Sequence, residues 1–87
     1  MKLKNLMEEV VFNVMDDYLQ EEEMCKCDRC KMDIAGIALN QLPSKYVVTE
    51  KGEAYGKTDI IDIQKNVDVI TAIMAGITRV KANPSHK

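Results

Sequence analysis

Apolar positions recur every three or four residues along three stretches of this 87-residue chain, and the spacing predicts three helices. The first helix is expected over residues 5 to 22, where Met7, Val10, Val11, Val14, Tyr18 and Leu19 form one apolar face. Phe12 and Met15 add a second apolar edge, so the stripe is wide enough to touch more than one neighbour. Glu8 and Glu9 fall in its first turn, where the helix dipole favours negative charge. Glu21, Glu22 and Glu23 fall at its end, where the dipole disfavours it. The second helix is expected from about Asp28 to Leu42, with Asp28 as its cap. Its stripe is Ile34, Ile37, Ala38 and Leu42, with Leu39 beside it. The small residues Ala35, Gly36 and Ala38 would let another helix come close, and Pro43 stops the run.

Residues 44 to 57 read as a connector, with turns marked by Lys51-Gly52 and Tyr55-Gly56. Tyr46-Val47-Val48-Thr49 has strand propensity but no visible partner, so its expected partner is its copy in another subunit. The longest helix is expected over residues 58 to 83, capped by Thr58 or Asp59 and ended by Pro84. Ile60, Ile63, Val67, Ile70, Met74 and Ile77 step by 3, 4, 3, 4 and 3 along it, as a heptad seam does. Ile61, Val69, Ile73 and Val80 make a second stripe, which also carries Gly76. Gly76 weakens the helix but would let a neighbouring backbone approach. A helix with two apolar faces needs two neighbours, and so small a chain supplies one of them. The expectation is therefore an all-α fold: a small domain over residues 1–87 with three main helices and a short extended connector, paired as a symmetric homodimer.

Composition narrows the function classes. The apolar fraction is 46%, ordinary for a globular chain, but Trp is absent and aromatics are 5%. The core must then be aliphatic, with the six Met as gap-fillers. A core this small usually needs a metal or a partner subunit. The formal net charge of −2 argues against direct binding of DNA or RNA, which needs a concentrated basic surface. No apolar run approaches the roughly 20 residues of a membrane span. Glu8 and Glu9 interrupt the N-terminal region where a signal peptide would be uninterrupted and apolar, so a cytoplasmic location is expected.

The chemistry concentrates in Cys25-Lys26-Cys27-Asp28-Arg29-Cys30, which holds all three cysteines of the chain. Three thiolates at C-x-C-x-x-C spacing can hold one soft metal ion, and zinc is the leading candidate. The bland alternative is a set of reduced thiols, or a redox pair made from two of them; the strand that precedes a thioredoxin-like C-x-x-C is missing. Cys30 is expected in the first turn of the second helix, with Cys25 and Cys27 in the loop before it, where helix N–H groups favour thiolate. A structural zinc site takes four ligands. His86, the only histidine, competes for the fourth place with Asp28, Asp33, Glu23 and water. No phosphate loop, nucleophile elbow or His–acid pair is present, so no enzyme activity is expected.

The ordered set Cys25-x-Cys27-x-x-Cys30, Asp33-Ile34, Ala38-Leu39-Asn40 and Leu42-Pro43-x-x-Tyr46-Val47 resembles the late competence protein ComFB family. Thr49-Glu50-Lys51-Gly52-Glu53 and Gln64-Lys65-Asn66 extend the resemblance over nearly the whole chain. It implies a small, all-helical, zinc-binding dimer associated with bacterial competence for DNA uptake. It also implies His86 as a metal ligand, because in ComFB-type sites a fourth cysteine can follow the last helix, and His86 holds the comparable tail position here. Two function classes follow from it. One is an interaction protein that docks on a competence component. The other is a cyclic di-GMP receptor, as some relatives are, controlling competence or motility. The groups available for a cyclic dinucleotide are Arg29, Lys45, Tyr46, Lys51, Tyr55, Lys57 and Arg79. The common arginine and glycine signatures of other cyclic di-GMP receptors are absent, which favours the interaction protein.

Overall fold

Asn5 organises the start of the fold. Its backbone is extended (φ −90°, ψ 108°), and its Oδ1 accepts the Met7 N–H at 3.1 Å, so it caps the first helix. The same oxygen accepts the Lys45 N–H at 2.9 Å, and the Leu6 N–H donates to the Lys45 carbonyl at 2.8 Å. The chain before Asn5 is thereby aligned with the chain after Lys45. The computed structural model describes residues 1–49 and 62–84. In order, they form β1 (Lys2–Asn5), α1 (Leu6–Leu19), α2 (Asp28–Gln41), β2 (Tyr46–Thr49) and α3 (Val67–Ala82), with a further short helical piece at residues 62–64.

The domain is mostly helical rather than all-α, because β1 and β2 pair as a two-stranded antiparallel sheet. Lys2 faces Thr49, Leu3 faces Val48, Lys4 faces Val47 and Asn5 faces Tyr46. The expected inter-subunit pairing of residues 46–49 is thus corrected: the partner strand belongs to the same chain. Four residues with Leu3 as their one large aliphatic carry no periodic signal, so β1 could not be read from the sequence.

α1 buries Leu6, Met7, Val10, Val11, Val14, Met15 and Leu19. Met15 belongs to the core, with no exposed surface, whereas Tyr18 is 37% exposed and stands at the edge. The helix stops at Leu19, three residues short of the expected end. The Glu21 and Glu22 N–H groups bond back to Tyr18 and Leu19 in a tight turn, so the three glutamates follow the helix instead of loading its negative end. α2 starts at Asp28, but the cap position belongs to Cys27; Asp28 is the first helical residue. Leu42 is extended at ψ 144°, as expected before a proline. Cys30, Ile34, Ala35 and Ala38 are its buried residues.

The predicted 26-residue helix over 58 to 83 is broken. Asn66 is extended (ψ 130°), and its Oδ1 accepts the Asp68 N–H at 2.7 Å, so a fresh helix begins at Val67. The heptad seam therefore does not run through one helix, and the caps Thr58 and Asp59, with Ile60 and Ile61, lie outside the described residues. α3 turns Val69, Ala72, Ile73, Gly76, Ile77 and Val80 inward. Its closest approach is to α2: a Cβ on Gly76 would stand 2.9 Å from the Ile34 carbonyl oxygen and 3.2 Å from Ile34 Cγ2. The close backbone approach expected at Gly76 is present, whereas Gly36 on α2 has no part in it, being exposed with nothing within 4 Å of its Cβ position. Val67 is 72% exposed, and Ile63, Ile70 and Met74 are half-buried.

Candidate metal centre

The three cysteines fall on the loop after α1 and the first turn of α2. Their sulfurs all lie within 4.8 Å of one another, which makes them the group of potential metal ligands among the described residues. Burial is graded: Cys30 is fully buried, Cys25 half-buried and Cys27 exposed. Cys30 sits inward because it occupies the third position of α2, on the same face as Ile34. Cys27, as the cap residue, projects from the helix end.

The electrostatics differ accordingly. The Cys30 backbone N–H, followed by the Cys25 side chain, lowers the Cys27 thiol below its usual value of 9.0. Burial, followed by the neighbouring thiols, pushes Cys30 up to about 11. The helix end thus favours the Cys27 thiolate, and a bound cation would offset the burial that opposes the Cys30 thiolate.

A cavity of about 240 Å³ adjoins the sulfurs. Glu23, Cys25 and Cys30 line one side; Val80, Lys81 and Pro84 line the other. The C-terminal end of α3 is therefore brought against the cysteine cluster. Lys81 Nζ also meets Glu22 Oε1 at 3.0 Å, a partly exposed pair worth at most about 1 kcal/mol. Val80 and Lys81 were not legible as neighbours of the cluster, because only the antiparallel packing of α3 on α2 brings them there. Of the carboxylates considered as donors, Glu23 reaches this cavity. Asp33 lines a separate groove with Ile37, Arg79 and Asn83, and Asp28 stands exposed at the helix start. His86 lies outside the described residues, two positions beyond Pro84.

Among the described residues, those considered for a cyclic dinucleotide do not gather at one site. Arg29 and Lys45 flank opposite ends of α2, a helix of 14 residues and so about 20 Å long. Arg79 lines the groove beside Asp33, while Lys45 lines a notch with Met7, Pro43 and Ile63. Lys51, Tyr55 and Lys57 lie outside the described residues. No helix among the described residues is long and apolar enough to cross a membrane.

Comparison with known proteins bears directly on this site. The family model described as late competence development protein ComFB matches residues 4–84. The competence protein ComFB of Bacillus subtilis (strain 168) is 31% identical over 84 residues, covering 95% of this chain and 86% of that protein. A solved structure, described as the structural characterization of the late competence protein ComFB from Bacillus subtilis, superimposes with a TM-score of 0.80 at 30% identity. The match covers 97% of this chain and 96% of the solved one. Cysteine cluster, helical order and whole-length similarity agree, and the chain belongs to the late competence development protein ComFB family.

Proposed function

We propose that this single-domain protein is a non-enzymatic, zinc-stapled homodimer that serves bacterial competence for DNA uptake by docking on another protein in the cytoplasm. The observation that carries this is the convergence of three thiols, within 4.8 Å, on the end of α3 in a ComFB-family chain. Tetrahedral zinc with thiolates at about 2.3 Å sets sulfurs about 3.8 Å apart. A small contraction of the cluster reaches that spacing. Cys25, Cys27 and Cys30 are three of the ligands. His86 is the fourth, because Pro84 lines the cavity and two residues of chain span up to about 7 Å. Zinc bound this way ties the loop after α1 to α2 and to the chain beyond α3, so its binding energy is also folding energy.

The outer face of α3 supports the dimer. No charged residue occurs from Val69 to Thr78, and Val67, Ile70 and Met74 leave apolar surface uncovered. A second copy packed under two-fold symmetry would cover the apolar surface of Val67, Ile70 and Met74 with an identical patch.

Metal analysis of untagged protein is expected to give about one zinc per chain, and loss of the gene to lower the transformation frequency of its host. Three titratable thiols with no metal, or unchanged transformation, would refute the corresponding part. Truncation before Ser85 is expected to weaken zinc binding without abolishing it; unchanged affinity assigns the fourth place to Glu23 or water. Calorimetry with cyclic di-GMP is expected to show no heat of binding, and saturable heat would move the assignment to a nucleotide sensor. Duplex DNA is expected not to bind tightly at physiological salt, and a salt-sensitive sub-micromolar affinity would restore a direct role in DNA handling.

A further inference from the structure

The metal-ligand set is not uniform. Cys27 is exposed at the cap of α2, whereas Cys30, three residues on, has no exposed surface. An oxidant in solution therefore meets Cys27 and cannot meet Cys30 without opening the core. Residues three apart on a helix are neighbours, with Cβ atoms about 5–6 Å apart. That is a modest adjustment from the ~3.8 Å a disulfide spans, and the two sulfurs already lie within 4.8 Å.

We infer that Cys27 is a site of oxidative modification and Cys30 its resolving partner, so that a hydroperoxide closes the Cys27–Cys30 disulfide and expels the metal. The expulsion rests on the zinc site proposed above; the disulfide does not. The Cys27 sulfur attacks the peroxide O–O bond, forming a sulfenic acid and releasing water or an alcohol. The Cys30 sulfur then displaces the sulfenic oxygen as a second water, and the S–S bond forms. Two thiols lose two electrons and two protons, and the peroxide accepts them. Of the four proposed ligands, Cys25 and His86 remain, two where a structural zinc site takes four, and the metal is released. No strand leads into α2 to build a thioredoxin-type platform, so the pair acts on its own metal site and not as an exchange catalyst. A thiol reductant reverses the step and restores the ligands.

Zinc-loaded, untagged protein treated with one equivalent of hydrogen peroxide tests this, read by a chromogenic zinc chelator and by peptide mass mapping. The expected result is zinc release in step with loss of two hydrogens between Cys27 and Cys30, reversed by dithiothreitol. The Cys27→Ser variant is expected to slow release on the order of tenfold or more. Should that variant fail to fold, dimedone trapping of the parent protein under limiting peroxide replaces it, with Cys27 expected to be labelled first. First labelling at Cys25, zinc retained under excess peroxide, or oxidation confined to methionine each overturns the inference. If the protein carries no zinc at purification, the zinc assignment fails, while disulfide mapping on the metal-free chain still decides the Cys27–Cys30 step.

Discussion

Gly36 and Gly76 are both helical, yet their surroundings give them opposite roles. At Gly76 an added methyl would meet the Ile34 carbonyl oxygen at 2.9 Å, and backbone cannot give way as a flexible side chain can. Gly76→Ala is expected to lower stability by about 1–3 kcal/mol through overpacking, despite its better helix propensity. Gly36→Ala meets open space and is expected to raise stability by about 0.5–1 kcal/mol. Urea denaturation of the two variants reads the difference, and shifts of the same sign would contradict it. Among the cysteines, titration has a direction. Cys30 is pushed up to about 11 from 9.0, so in metal-free protein the unfolded chain loses that proton first. The contribution is fully present below about pH 9 and is lost as pH rises toward 11. The Cys27 thiol, lowered by the helix end, acts in the opposite sense but is already fully expressed above pH 9. Thermal melts of metal-free protein are therefore expected to fall above pH 9, and a flat profile there would contradict the burial of Cys30.

Among elements, the join between β1 and α1 has the widest consequence. One Asn5 oxygen caps α1 and holds Lys45, at 3.1 and 2.9 Å. Asn5→Ala is expected to cost about 1–2 kcal/mol, the upper part of the usual range for a lost cap, because two N–H donors lose one acceptor. Asn5→Asp keeps the acceptor and should recover most of it; denaturation midpoints of the pair test the point. α1 and α2 were legible because their apolar residues keep helical spacing from Met7 to Leu19 and from Cys30 to Leu42. The start of α3 was not, because Asn66 and Asp68 are a capping pair set inside an uninterrupted apolar rhythm of Ile63, Val67 and Ile70. β1 escaped notice because its stability comes from pairing with residues more than forty positions away, which no local window contains. The candidate metal site was legible in part for the same reason in reverse. Its three thiols are local, whereas the wall formed by Val80 and Pro84 is tertiary.

For the whole molecule, the question is what covers α3. Its inner face is closed by α1 and α2, and its outer face presents Val67, Ile70, Thr71 and Ala75 without a charge between Asp68 and Arg79. Each large aliphatic side chain covered by a second copy contributes on the order of 1.5–3 kcal/mol before entropic costs. In the proposed dimer, Ile70→Asp would bury an unpaired carboxylate between the two copies and is expected to give monomers. Ile70 is half-buried, not central to the core, so the variant should keep its helical circular dichroism. Light scattering after size exclusion is expected to give twice the 9.8 kDa chain mass for the parent protein. A folded parent that runs as a monomer at tens of micromolar would rule the dimer out.

The pairing of Lys2–Asn5 with Tyr46–Thr49 also governs how the chain is made. Synthesis is vectorial, and the first strand must wait for the second. At 5–20 residues per second, the 44 positions between Asn5 and Thr49 take about 2–9 s to add. During that time Leu3 has no cross-strand neighbour and α1 lacks its link to Lys45. α1 and α2 are both synthesised before Tyr46–Thr49, so the ribbon can close the N-terminus onto the domain only after their residues have been added. The rate at which residues 5 to 49 are added therefore sets the earliest moment at which the ribbon can form.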